Sequence, residues 1–173
     1  DAVPRRLVGM RAMKRPTFAS AVSGCIAVAT LATDQTTKAL ASANGEALAG
    51  GLGVFPGFNL VFHRNTGVSF GMLGDVSPFI LVALALVIAA WIAVLAFRTE
   101  RSSDAVGYGL ILGGAIGNVA DRVRFGGVTD FLDFYIGETH WPAFNLADTA
   151  IFCGVVVLLF WPHRHVRQQN KVT

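Results

Sequence analysis

The sequence predicts an all-α membrane protein, with four transmembrane helices and a small extracytoplasmic β-sheet. Three observations carry this expectation. Hydrophobic residues make up 53% of the 173 residues and charged residues only 14%, against roughly 25% charged in a soluble domain. The apolar residues fall into four separated segments. The basic residues gather at positions that four helices would place on one side of a bilayer. With a mean hydropathy of +0.55, a small polytopic protein of one domain is expected. No basic stripe is interleaved with aromatic residues, so nucleic acid is not an expected partner.

The first apolar segment runs from about Phe18 to Ala41 and ends in the polar sequence Asp34-Gln35-Thr36-Thr37-Lys38. Val22-Ser23-Gly24-Cys25 matches a lipoprotein cleavage box. The apolar run before Cys25 is too short for a signal-peptide core and continues to Thr33, so a retained helix is expected. The second segment, Val76 to Phe97, carries no charge and alone reaches the roughly 20 residues a span needs. The third, about Ala105 to Val119, is short and must borrow residues 118–122. Its Gly107, Gly109, Gly113, Gly114 and Gly117 form a small-residue face for close helix contact. The fourth runs from about Ala143 to Trp161, with Asn145 and Asp148 near its start. Cys25 and Cys153 lie in different helices and are expected to be free core thiols.

Arg5, Arg6, Arg11, Lys14 and Arg15, the loop residues Arg98 and Arg101, and Arg164, Arg167 and Lys171 fall on one side of a four-helix arrangement. Lys38, Arg64, Arg122 and Arg124 fall on the other. Ten basic residues against four place both termini in the cytoplasm. Residues 1–16 are then a basic cytoplasmic segment, 17–162 the membrane domain and 163–173 a basic cytoplasmic tail. Tyr135 and Trp141 suit an aromatic belt at the outer face.

The outer loop, about 42–75, is more than a linker. Phe55 to Phe62 is apolar and aromatic with turn residues inside it. Val61 to Phe70 reads as short strands joined at Asn65-Thr66-Gly67, a small sheet on the membrane surface.

Asp121, Asp130, Asp133 and Asp148 crowd into fewer than 30 residues of this apolar chain. Carboxylates at a membrane boundary are costly, and function is the default explanation. Two in one confined site can share a proton and work as acid and base. Asp34 and Lys38, at i and i+4, read as a structural pair. Asp121, Arg122 and Asn118 read as a polar network at a helix end. Six residues from Pro142 put Asp148 roughly 9 Å along the fourth helix, which makes it the carboxylate expected to be buried in the membrane. Spacing alone does not choose its partner between Asp130 and Asp133. Gly-x-Ser-x-Gly and His-Glu-x-x-His are both absent, and the four histidines lack metal-ligand spacing.

Five motifs then stand in order: Asp34 to Lys38; Asn65-Thr66-Gly67-Val68-Ser69-Phe70-Gly71; Gly114 to Arg122; Val128-Thr129-Asp130-Phe131; and Phe144-Asn145-Leu146-Ala147-Asp148. With these the chain resembles the lipoprotein signal peptidases, or signal peptidase II, of bacterial inner membranes. Thr129 departs mildly from the β-branched apolar residue of many members, and the first 16 residues fall outside the resemblance. The resemblance implies an aspartic endopeptidase with Asp130 and Asp148 as its catalytic dyad. Asn65, Asn118, Arg122 and Asn145 match its polar residues around the substrate. The implied substrate is a diacylglyceryl-modified prolipoprotein, cut before its lipidated cysteine. The outer loop matches the family's surface sheet, the β-cradle, and the segment after Asp130 its short periplasmic helix. Membrane lipid is the other implied partner, and a monomer is expected.

In the implied mechanism one carboxylate takes a proton from water while the other, protonated, donates to the scissile carbonyl, so no cofactor or metal is required. The alternative is a small transporter or binding protein using the aspartates for a proton or cation, against which no internal repeat is visible. A lipid-bearing peptide must enter from the side. The stretch Asp133 to Trp141, hinged at Gly137, is expected to close against the sheet around Phe62 to Phe70.

Overall fold

A computed structural model describes residues 16–67 and 78–161. The basic N-terminal run, the motif residues Val68 to Gly71, the start of the second apolar segment and the basic tail lie outside these residues. The chain order is α1 (Phe18–Ala43), α2 (Gly45–Leu48), β1 (Leu52–Phe55), β2 (Phe58–Asn65), α3 (Pro78–Arg98), α4 (Ser102–Phe125), β3 (Val128–Ile136), β4 (Thr139–His140) and α5 (Leu146–Phe160). The described residues are thus mostly helical, with a small antiparallel sheet.

Helix α1 starts where the Thr17 side chain accepts from the Ser20 backbone N–H at 3.0 Å, a standard N-cap. It passes Cys25 without a break. Helix α4 extends past Val119 through Arg122 and ends at Gly126, whose φ of 72° suits a glycine C-cap. α4 packs between α1 and α5 with its glycines at the contacts. A Cβ on Gly113 would lie 2.5 Å from the Ala27 carbonyl oxygen, and one on Gly114 2.5 Å from that of Ala147. The small-residue face is therefore a requirement of backbone approach.

Polarity is inverted relative to a water-soluble bundle. Asp34, Lys38, Asn118, Asp121 and Asn145 are buried, while Phe79, Val87, Trp91, Phe152 and Phe160 are exposed. Among the described residues one helix, Phe79–Arg98, is long and apolar enough to cross a membrane, and Leu146–Phe160 is apolar but shorter. Cys25 and Cys153 are free but exposed rather than in the core.

The sheet has the order β1-β2-β3-β4. β1 and β2 turn at Pro56-Gly57, with Gly57 at φ 92°, as proline then glycine favour in a tight turn. At Asn65-Thr66-Gly67 the Asn65 side chain accepts from the Gly67 N–H at 3.1 Å. This is a local turn after a single strand, and residues 68–70 lie outside the described set. β2 pairs with β3 from Phe58↔Phe134 to Asn65↔Val128. Its base packs on the end of α1 through Ala41, Leu48 and Phe131.

Two expectations are corrected here. The segment containing Asp130 and following it is strand β3 running into the β4 hairpin, not a periplasmic helix. Val128 to Ile136 is rich in β-branched and aromatic residues, which suit a paired strand. The described part of the expected opposing jaw, from Phe62 to Asn65, belongs to β2 and is a neighbour of β3 within one sheet, and Gly137, at φ 59°, lies in the β3–β4 turn.

Candidate active site

Each element brings one or two polar groups to one end of the helices. β3 carries Asp130, β2 ends at Asn65, α4 supplies Asn118 and Arg122, and the start of α5 supplies Asn145 and Asp148. The extended segment before α5 is tied to β3. Phe144 N–H donates to Leu132 O at 3.0 Å, and Leu132 N–H returns a bond to Phe144 O at 2.9 Å. That pairing delivers Asn145 to Asp130.

Asp130 is 2% exposed. Its Oδ1 accepts from Asn145 Nδ2 at 2.7 Å and its Oδ2 from Asn65 Nδ2 at 3.1 Å. Asp148 Oδ1 accepts from Asn118 Nδ2 at 2.7 Å. Asn145 and Asp148 also form a capping box at the start of α5. Asn145 Oδ1 accepts from Asp148 N–H at 3.0 Å, and Asp148 Oδ2 accepts from Asn145 N–H at 3.3 Å. Asp148 is partly buried within the protein, less so than Asp130. Phe144 is bridged to Leu132 of β3 and α5 begins only at Leu146, so Asp148 sits in its first turn.

Burial pushes the Asp130 carboxyl up from 3.8 to about 6. The amides of Asn65 and Asn145 oppose that rise, the charge of Asp148 adds to it, and that of Lys38 opposes it. Asp130 and Asp148 are thus near enough to couple electrostatically. The Arg122 guanidinium is half-buried and feels the charges of Asp148, Asp130 and Asp121.

Asp133 does not join this group. In a strand, residues three apart point to opposite faces. Asp133 instead accepts from Asn59 Nδ2 at 3.0 Å and lies 2.9 Å from His140 Nδ1.

Beneath the pair lies a buried network. Lys38 Nζ is 3.0 Å from Asp34 Oδ2 and 3.8 Å from Asp121 Oδ2. Asp34 Oδ1 accepts from the Ala147 N–H at 3.0 Å, holding the first turn of α5. Asp121 is held by the Thr129 N–H at 2.9 Å and by Gln35 Nε2 at 3.1 Å, rather than by Arg122. The sequence reading missed that Lys38 also donates to Asn118 Oδ1, at 2.8 Å. It also missed Arg64 Nη1 donating to Thr129 Oγ1 at 2.7 Å. The one signal for the first was a lysine buried at i+4 from an aspartate. The second crosses between strands and left no signal.

Phe55, Pro56, Phe134, Ile136, Trp141 and Phe144 line an open apolar cleft of about 650 Å³.

Known proteins resemble the chain over most of its length. The model of the family Peptidase_A8, Signal peptidase (SPase) II, matches residues 26–162. The lipoprotein signal peptidase of Oleidesulfovibrio alaskensis is 42% identical over 146 residues, covering 81% of this chain and 93% of that protein. That of Syntrophotalea carbinolica is 44% identical over 143 residues, covering 78% and 86%. A solved bacterial membrane enzyme has a TM-score of 0.71 at 29% identity, over 84% of this chain and 94% of its own. The chain belongs to the signal peptidase II family.

Proposed function

We propose that Asp130 and Asp148 are the catalytic pair of this peptidase. The protein is a bacterial membrane enzyme, an aspartic endopeptidase of lipoprotein processing. It removes the signal peptide from diacylglyceryl-modified prolipoproteins by cutting before the lipidated cysteine. The transporter reading has no support from the family. The observation that carries the assignment is the ring of amides. Asn65, Asn118 and Asn145 each aim an NH2 group at one of these two carboxylates and, among the described residues, at no other.

In the proposed reaction the ionised member takes a proton from water as the water attacks the scissile carbonyl. The protonated member donates to the carbonyl oxygen, and the roles exchange as the amine leaves. The three amides position the peptide backbone without adding charge, and Arg122 steadies the negative charge of the pair or a substrate carbonyl. The apolar cleft and its exposed aromatic walls suit an acylated substrate or the lipid surface.

The pH profile tests this assignment. Asp130 holds its proton up to about pH 6, so kcat/KM should fall on the alkaline side from near that value. Asn65→Ala removes a bond that favours the ionised form, so the alkaline limb should move to higher pH. A limb that stays in place would show that Asp130 does not titrate in the reaction.

We also propose four spans, α1, α3, α4 and α5, with the sheet outside and both basic termini in the cytoplasm. The segments 1–16 and 163–173 then flank a membrane domain of residues 17–162. Since one chain carries every proposed site residue, we propose that it works as a monomer. Single-cysteine labelling in intact cells should reach Glu138→Cys with an impermeant reagent and Ser103→Cys only after permeabilisation. The reverse pattern would put the aspartates on the wrong face for an exported substrate.

A further inference from the structure

An asparagine amide can turn over, exchanging its oxygen and its NH2 with little change of shape. At this site the orientation decides the chemistry. With NH2 toward a carboxylate, the ionised form is favoured. With oxygen toward it, two acceptors face each other, and only a proton between them relieves the contact. Each of the three amides has its oxygen occupied. Asn65 Oδ1 accepts from the Gly67 N–H at 3.1 Å and Asn145 Oδ1 from the Asp148 N–H at 3.0 Å. Both donors are backbone. Asn118 lies inside α4, where backbone N–H groups are committed to the helix. Its oxygen is held instead by the ammonium of Lys38, from α1, at 2.8 Å.

We propose that Lys38 is a positioning residue of the active site, which locks the Asn118 amide with its NH2 toward Asp148. This rests on the reading of Asp130 and Asp148 as the catalytic pair. Lys38 is 3% exposed, and a buried ammonium is costly to keep. Asp34 does not account for it alone, since Asp34 already accepts from the Ala147 N–H and from Gln35 Nε2. The charged groups around this line are Asp34 on α1, Asp121 and Arg122 on α4, Asp130 on β3 and Asp148 on α5. Arg64 on β2 turns away, toward Thr129 and the Phe125 ring. Lys38 thus reaches Asp148 through one intermediary: Lys38 to Asn118, then Asn118 to Asp148 at 2.7 Å.

The test separates positioning from simple charge balance. Lys38→Met leaves Asp34 buried without its cation and is expected to destabilise the protein. The double variant Asp34→Asn/Lys38→Met removes both charges of the pair. Purified in detergent and given a lipidated prolipoprotein peptide, the double variant should fold. Its kcat should fall about tenfold or more, within the ~10²-fold range of a misplaced catalytic group, with KM nearly unchanged. The acid limb of its kcat/KM profile should move to higher pH, because the ionised state of the pair has lost a donor. Lys38→Gln, which can still donate to Asn118, should retain more activity than Lys38→Met. Recovery of wild-type kcat and pH profile in the double variant overturns the proposal, as does its failure to fold or equal activity of the Gln and Met variants. Asp148→Asn, assayed beside them, keeps the two readings apart. If it stays active, the catalytic pair is wrong. If it is inactive while the double variant behaves as wild type, only the role of Lys38 fails.

Discussion

Gly114→Ala is expected to lower both the stability and the activity of the protein, whereas Gly24→Ala should do neither. The added methyl at Gly114 would lie 2.5 Å from the Ala147 carbonyl oxygen and 2.9 Å from Ile151 Cγ1. Ala147 is fully buried, immediately precedes Asp148 and is tied through its N–H to Asp34. The first turn of α5 therefore cannot yield without moving Asp148. Overpacking of this kind costs typically about 1–3 kcal/mol, which in a chain of this size lowers Tm by roughly 2–4 °C per kcal/mol. A shift of about 1 Å at a catalytic group can cost ~10²-fold in rate, so cleavage should suffer more than folding. At Gly24 a Cβ meets nothing within 4 Å, and alanine is the better helix former. Thermal melts and cleavage rates of the two variants in the same detergent check the contrast. Equal behaviour would mean that α4 and α5 do not approach as closely as described.

What could be read from the sequence was local or periodic. The extent of α1, the reach of α4 through Arg122 and its glycine face follow from apolar runs and small residues. The resemblance singled out Asp130 and Asp148, which spacing could not, and the fold supplies a physical reason for leaving Asp133 aside. On strand β3 the two aspartates three residues apart face opposite ways, and Asp133 is taken up by Asn59 and His140. The same strand explains the main miss. Val128 to Ile136 is fixed by pairing with Phe58 to Asn65, and nothing in either segment alone names the other. The bridge between Leu132 of β3 and Phe144 also keeps the helix from starting at Ala143. It moves the start of α5 to Leu146 and puts Asp148 in its first turn. Lys38 was read through Asp34, its neighbour one turn away, because Asn118 lies 80 positions further on.

Asp130→Asn and Asp148→Asn should each abolish cleavage while the protein still folds. An amide has almost the shape of a carboxylate but can neither take a proton from water nor exchange one with its partner. At position 148 the amide oxygen can still accept from the Asn145 N–H or from Asn118, so the start of α5 keeps much of its support. At position 130 the new NH2 must face one of two amide donors, and an unmade buried bond costs about 1–3 kcal/mol, too little to prevent folding. General acid–base catalysis contributes typically ~10²–10⁴-fold, and loss of either member disables both halves of it. Asp133→Asn serves as the control, since its partners lie on the other face of β3. The measurement is the rate of product formation from a lipidated prolipoprotein peptide, for the three variants and wild type at matched far-UV circular dichroism. The expected result is no product from Asp130→Asn or Asp148→Asn and clear product from Asp133→Asn. Cleavage at the wild-type rate by either of the first two would contradict the assignment of Asp130 and Asp148 as the catalytic pair.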